Sequence, residues 1–323
     1  MTYIDLMTKK VIANQQITKA EALLLYKQPL DELCHQANEI RKHFCKNTFD
    51  ICTIINAKSG LCSENCRFCA QSAYNKTNVS VYPLLNTHSI LEQARLNDQD
   101  GMLRFALVTS GRSLTDDEID KVCHSIRTIK ETTNLLVCAS FGLLNKEQYS
   151  KLKNAGVSRV HNNLETSSKN FPNICTTHTF ADKVNAIKAA QEAGLEVCSG
   201  GIMGLGESVE DRIDMALTLR ELGINSVPIN ILNPIPGTPL ENNDTLTPTD
   251  IQRIVATYRF ILPNAFLRLS GGRSLLKDQG RSCFLSGANA AISGNMLTTT
   301  GTTIASDLEL IKSLGYRVEV INE

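Results

Sequence analysis

The chain has no excess of charge of either sign: 33 lysines and arginines stand against 33 aspartates and glutamates. Nucleic acid or an anionic membrane surface calls for a basic footprint, so this balance argues against both partners. Long apolar runs are missing too, and nothing approaches the roughly 18 consecutive residues a membrane helix needs. The start, Met1-Thr2-Tyr3-Ile4-Asp5, lacks the basic segment and apolar stretch of a secretory signal. A cytoplasmic protein with a small-molecule task is expected. Internal repeats, low-complexity segments and linker-like stretches are also absent. With 42% hydrophobic side chains over 323 residues, one large core in one domain is the starting point.

Cysteine, by contrast, is abundant, with eleven in the chain. A reducing compartment disfavours structural disulfides and moves the reading toward metal binding or catalysis, and an odd count argues against complete pairing. The plain role of any one free cysteine is that of a small buried hydrophobe. Cys34, Cys45, Cys123, Cys175 and Cys283 are assigned that role.

From about 17 to 46, Ala20, Leu23, Leu24, Leu30, Leu33, Ala37 and Ile40 recur at helical spacing and mark a leading helical segment. Beyond it, short β-branched runs alternate with helices that open at caps: Thr115 with Glu118, Ser208 with Asp211, and Thr247 before Pro248. Strands are expected at 51–57, 103–109, 135–140, 157–163, 195–201, 225–232, 265–270 and 287–293. Helices at 116–130, 146–154, 180–193 and 208–222 end near Gly156, Gly194 and Gly223. Such alternation implies parallel strands with helical crossovers, and eight strands close a (β/α)8 TIM-type barrel with an N-terminal helical extension. An open doubly wound sheet is the alternative. The expected division is a helical segment over 1–46, the barrel over 47–315 and a tail over 316–323.

Directly after the first strand, Cys62, Cys66 and Cys69 follow the spacing C-x3-C-x2-C. Three thiolates on one loop can hold three irons of a cubane, which leaves the fourth iron open to a ligand that is not protein. A closed structural zinc site asks for four ligands, usually as two pairs, and fits the triplet poorly. Phe68 before the last thiol suits an apolar cover, or is an ordinary core phenylalanine.

Cys52, Cys138, Cys198 and Arg268 each fall inside an expected strand, the first, third, fifth and seventh. Alternate strands of an eight-stranded barrel contribute the side chains of one interior layer, so three thiols and a guanidinium would converge. A buried arginine needs an anion. A thiolate-held cluster would serve, or Arg268 points to a barrel end and pairs with a carboxylate.

The triplet, with its aromatic residue and its place after the first strand, resembles the signature of the radical S-adenosylmethionine (SAM) superfamily. Over about 20–315 the resemblance narrows to the biotin synthase family, carried by Asn56-Ala57-Lys58-Ser59-Gly60, Val197-Cys198-Ser199-Gly200-Gly201-Ile202-Met203-Gly204-Leu205-Gly206-Glu207, Val227-Pro228-Ile229-Asn230, Gly237-Thr238-Pro239-Leu240, Leu267-Arg268-Leu269-Ser270 and Gly287-Ala288-Asn289. It implies a sulfurtransferase that inserts sulfur into dethiobiotin at the last step of biotin formation. It also implies a 4Fe-4S cluster on Cys62, Cys66 and Cys69 that binds SAM, a flavodoxin-type electron donor and a homodimer. An auxiliary 2Fe-2S cluster held by three cysteines and an arginine would take Cys138, Cys198 and Arg268. Many members have a cysteine on the second strand where this chain has Ala106. Cys52 is the compensating thiol expected here, and a four-iron variant is the alternative to two irons. Two rival functions are another radical SAM barrel of the hydrogenase-maturation kind and a non-catalytic iron–sulfur electron carrier.

Gly200 and Gly201 end the fifth strand and, without side chains, would let a ligand approach the backbone. The resemblance implies SAM contacts there, at Glu207, and at Glu165, which would take the ribose. The alternative for Glu207 is favouring the start of the next helix. Asn163 and Asn230 are expected to face substrate or SAM, their amides being suited to a ureido ring. Lys58 would orient a carboxylate, or is a solvated loop lysine. The role of His161 stays open, a satisfied surface histidine being the plain alternative.

Overall fold

A computed structural model describes residues 1–319. Ten strands form one sheet: β1 (Thr48–Lys58), β2 (Arg104–Thr109), β3 (Leu136–Ser140), β4 (Val157–His161), β5 (Glu196–Cys198), β6 (Gly201–Met203), β7 (Ser226–Ile231), β8 (Phe266–Leu269), β9 (Ala290–Ile292) and β10 (Arg317–Val318). They run in the order β10-β1-β2-β3-β4-β5-β7-β8-β9, with β6 beside β7. Every strand pair is parallel, and β1 also pairs with β9 through Asp50, Ile51 and Cys52 against Ala290, Ala291 and Ile292. That last pairing closes the barrel and rules out the open sheet.

The eight expected strands all occupy the ring, but the fifth position is broken. Gly200 interrupts it because its N–H is taken by Asn163 Oδ1 at 3.0 Å, outside the ladder. The crossover helices match the cap signals. Thr115, Ser208 and Thr247 each accept from the backbone three residues on and close a capping box, which satisfies N–H groups no helix can bond internally. Gly156, Gly194 and Gly223 have positive φ at the helix ends.

The leading segment is three helices, Tyr3–Ile12, Lys19–Tyr26 and Leu30–Cys45, where one pattern over 17–46 was expected. Pro29 separates the second from the third because proline cannot donate within a helix. Leu33, Ala37 and Ile40, a stripe at spacings of three and four, are fully buried within the main apolar core. The C-terminal tail also departs from expectation: Arg317 and Val318 add a short strand beside Thr48 and Phe49. Residues 320–323 of that tail lie outside the described residues. Among the described residues no helix is long and apolar enough to cross a membrane.

Candidate active site

A cavity of about 420 Å³ opens at the C-terminal ends of the barrel strands, the face where such barrels carry their chemistry. Cys62, Cys66 and Cys69 line it together with Cys52, Cys138, Cys198 and Arg268, so the loop thiols and the strand thiols share one space. Phe68 lines it as well, on the cavity side of the loop.

The loop that carries the triplet has its own scaffold. Cys62 donates its N–H to Gln71 O at 2.9 Å and accepts from Ala73 N at 2.8 Å, while Cys69 N–H turns back onto Cys66 O at 3.1 Å. Asn75 Nδ2 then ties both Cys66 O and Cys69 O, at 3.2 and 2.8 Å. All three thiols are half-buried, open to the cavity yet held on an ordered backbone. The donor set fits a cubane, in which each thiolate binds a different iron and the fourth iron takes no protein ligand.

Below the loop the barrel interior is charged. Asp50, two residues before Cys52 and hence on the same strand face, accepts from Arg268 Nη2 at 2.5 Å and Arg104 Nε at 2.8 Å, with Arg159 Nη1 at 3.6 Å. All four side chains are at most 5% exposed. Burial alone would raise the Asp50 carboxyl, but the guanidiniums of Arg268, Arg104 and Arg159 outweigh it and hold the group well below the usual carboxylate range. Of the two partners weighed for Arg268, a carboxylate is present: Asp50 pairs with it inside the barrel. Arg159 has a second partner in Glu196, at 2.9 Å. Arg268 and Arg104 share the single Asp50 carboxylate, and the positive surplus of that pair fits an anionic thiolate-held cluster.

Cys52, Ala106 and Cys138 pack together as a small buried group. The mutual interaction of the two thiols lowers the pKa of Cys138 and raises that of Cys52, with burial adding to the rise in Cys52. Cys198 is raised by burial and receives Ser226 Oγ at 3.2 Å. Ala106 sits beside Cys138 in register and offers only a methyl group to the cavity.

The remaining expected contacts divide. Asn163, Glu165, Asn230 and His161 line the cavity. His161 pairs in register with Cys198 and is partly exposed on the cavity wall; desolvation lowers its pKa to about 4. Glu165 takes a positive φ of 68°, receives Asn163 Nδ2 at 3.3 Å, and has its pKa raised by burial against the pull of Lys183 and His161. Asn230 bridges Gly201 O and Gly271 N at 3.1 and 3.0 Å, which leaves one N–H and one lone pair of its amide for a ligand.

Four of the expected contact residues are engaged by the protein itself. Neither Gly200 nor Gly201 lines the cavity, and the close approach they permit is made by protein. A Cβ on Gly200 would lie 1.9 Å from Pro228 O, and one on Gly201 2.4 Å from Glu165 O. Lys58 is bound to Glu118 at 2.6 Å. Glu207 accepts from Gly204 N at 2.8 Å and Arg212 Nε at 2.6 Å, so it braces the turn into the next helix.

Residues not anticipated are Asp50, Arg104, Arg159 and Lys183, the last reaching Asn162 Oδ1 at 3.2 Å. The available signal for the first three was period two, with a charge two residues before Cys52, Ala106 and His161. Cys175, expected to be a core filler, is buried among polar groups: Asn65 Oδ1 at 3.3 Å and His178 Nδ1 at 3.3 Å.

The chain matches the family model described as Radical SAM superfamily over residues 58–219 and the Biotin and Thiamin Synthesis associated domain over 228–317. It is 58% identical to the biotin synthase of Brachyspira hyodysenteriae over 98% of this chain and 95% of that one. With the biotin synthase of Akkermansia muciniphila it shares 54% identity over 99% and 100%. Among solved structures, a methylornithine synthase superposes with a TM-score of 0.84 at 21% identity, over 97% of each chain. A maturase of the [FeFe]-hydrogenase superposes with 0.83 at 20% identity, over 97% of this chain and 74% of that one. Those two likenesses show the barrel alone, whereas the identities above are carried over nearly the full chain, and the chain belongs to the biotin synthase family of the radical SAM superfamily.

Proposed function

We propose that the chain inserts sulfur into dethiobiotin to form biotin, using SAM, a 4Fe-4S cluster on Cys62, Cys66 and Cys69, and an auxiliary iron–sulfur cluster on Cys52, Cys138 and Cys198 with Arg268 beside it. The observation that carries this reading is that both thiol sets line one cavity. Bound there, the clusters would relay a reductant's electron to SAM and offer sulfur for the substrate. The chain's own residues position and shield, the organic chemistry belonging to the cofactors. Asn163 and Asn230 offer amide groups on the cavity wall, and Glu165 a carboxylate for ribose hydroxyls. Arg268 is held by Asp50 and by Ala291 O at 2.9 Å, so its guanidinium is oriented before any cluster arrives. A flavodoxin-type donor, a homodimer and a cytoplasmic setting belong to the same reading.

The test is anaerobic reconstitution with iron and sulfide, followed by SAM, dethiobiotin and a low-potential reductant. Biotin and 5′-deoxyadenosine are expected from the native chain, and neither from Cys69→Ser. An electron carrier would leave SAM intact. Formation of 5′-deoxyadenosine without biotin would refute the substrate and keep the superfamily.

A further inference from the structure

Cys175 lies in neither thiol set. Its sulfur, the Cys66 sulfur and a His178 ring nitrogen lie within 4.8 Å of one another, the one such group of three potential ligands found among the described residues. Cys175 Sγ stands 3.3 Å from His178 Nδ1, and Glu64 Oε2 contacts that same nitrogen. A thiol–imidazole–carboxylate relay uses opposite ring nitrogens, so convergence on Nδ1 is not the geometry of a nucleophile. The two sulfurs and the ring nitrogen, by contrast, are close enough together to share one ion. With metal–sulfur bonds near 2.3 Å and metal–nitrogen bonds near 2.0 Å, tetrahedral ligands sit about 3.5–3.8 Å apart.

The two loops that carry these groups are clasped independently of any ion. Asn65 Oδ1 accepts from Thr176 N at 2.9 Å and Thr177 N at 3.2 Å, and Asn65 N–H donates to Thr177 Oγ1 at 3.1 Å. Thr177 Oγ1 in turn donates to Glu64 Oε2 at 2.7 Å, which orients the carboxylate from outside the ligand set. Cys175 and His178 are buried, while Cys66 is half-buried on the cavity wall and gives an ion its way in.

We propose that in the cluster-free chain Cys66, Cys175 and His178 bind one zinc-class divalent cation, whose fourth position is left to solvent, and that this site excludes the cubane because both use Cys66. Thiolates and an imidazole select zinc or cobalt over magnesium and calcium, and the thiol protons leave to solvent as the metal–sulfur bonds form. Zinc binding stands on these residues alone, whereas the exclusion rests on the cluster reading above. Its consequence is that a chain that has lost or not yet received its cluster keeps the loop folded around a metal, and must release that ion before cluster assembly.

The experiment uses the full chain, stripped of metal and kept reduced under anaerobic conditions. Cobalt(II) is added while thiolate-to-metal absorption is followed, and zinc is then titrated against a chromophoric chelator. One equivalent of each is expected. Removal of a ligand by Cys175→Ser or His178→Ala is expected to weaken zinc by at least the roughly 10- to 100-fold known for loss of outer partners, while Cys69→Ser binds as the native chain does. Native-like zinc affinity in Cys175→Ser, or loss of binding in Cys69→Ser, overturns the site. Where a substitution prevents folding, Cys175→Ala and His178→Gln take its place. Separately, one equivalent of zinc should slow iron–sulfide reconstitution of the native chain but not of Cys175→Ser. Unslowed assembly with zinc bound refutes the exclusion and leaves the zinc site standing.

Discussion

Asp50 is the residue on which the barrel interior turns. Removing one partner of a buried ion pair leaves uncompensated charge and costs about 3–5 kcal/mol, so Asp50→Asn should destabilise the cluster-free chain by that order in urea unfolding. The sign with pH follows from the same contacts. A carboxyl held low by guanidiniums contributes its full stability above the ordinary carboxylate range, near pH 4, and loses it only as pH falls through the depressed value. Acid unfolding of Asp50→Asn should therefore lack that component. Cys52 and Ala106 make the second expectation at this scale. Cys52→Ala should lower the iron and labile sulfide of the auxiliary cluster while the triplet's Mössbauer signal persists. Unchanged counts would remove Cys52 from the ligands. Cysteines were legible one by one because a thiol inside a strand of a reduced protein has few roles. Asp50, Arg104 and Arg159 were not, because a charge near a strand start reads as a solvated end until the sheet closes over it.

At the level of the strand and the helix, local chemistry decided most of the outcome. Thr247 closes a capping box with Asp250 ahead of Pro248, and Thr247→Ala should cost about 1 kcal/mol, read from the urea midpoint. The break between β5 and β6 is of another kind. Gly200 faces Pro228 O where a Cβ would stand at 1.9 Å, so Gly200→Ala should destabilise by about 1–3 kcal/mol, the range for overpacking. It should also disturb Asn163, whose Oδ1 holds the Gly200 N–H. A glycine pair at a strand end can serve a ligand or a neighbouring backbone, and the sequence pattern is the same for both. Lys58 and Glu207 likewise each admitted two readings. Each has a carboxylate or guanidinium partner, Glu118 and Arg212, brought near by helix packing or by the next turn.

For the molecule as a whole, closure and the N-terminal helices act together. Leu33, Ala37 and Ile40 are buried in the core, and Arg41 stacks over the Tyr316 ring at 4.8 Å near the C-terminal strand. Deleting residues 1–46 should therefore expose a contiguous apolar face, seen as increased binding of a hydrophobic dye and as association in sedimentation.

The sequence alone determined the alternation of strands and helices, the capped helix starts and the rare thiols, because periodicity, caps and cysteine chemistry are local properties. Tertiary structure alone decided which polar side chains meet: Asp50 with three arginines, Lys58 with Glu118, and Cys175 with His178 and Cys66. Asp50 stands 54, 109 and 218 residues from its three arginines, Lys58 60 from Glu118, and Cys66 109 from Cys175. Only ring closure and the clasp between two loops bring them within a hydrogen bond, since charge and sulfur have no periodicity that betrays a distant partner.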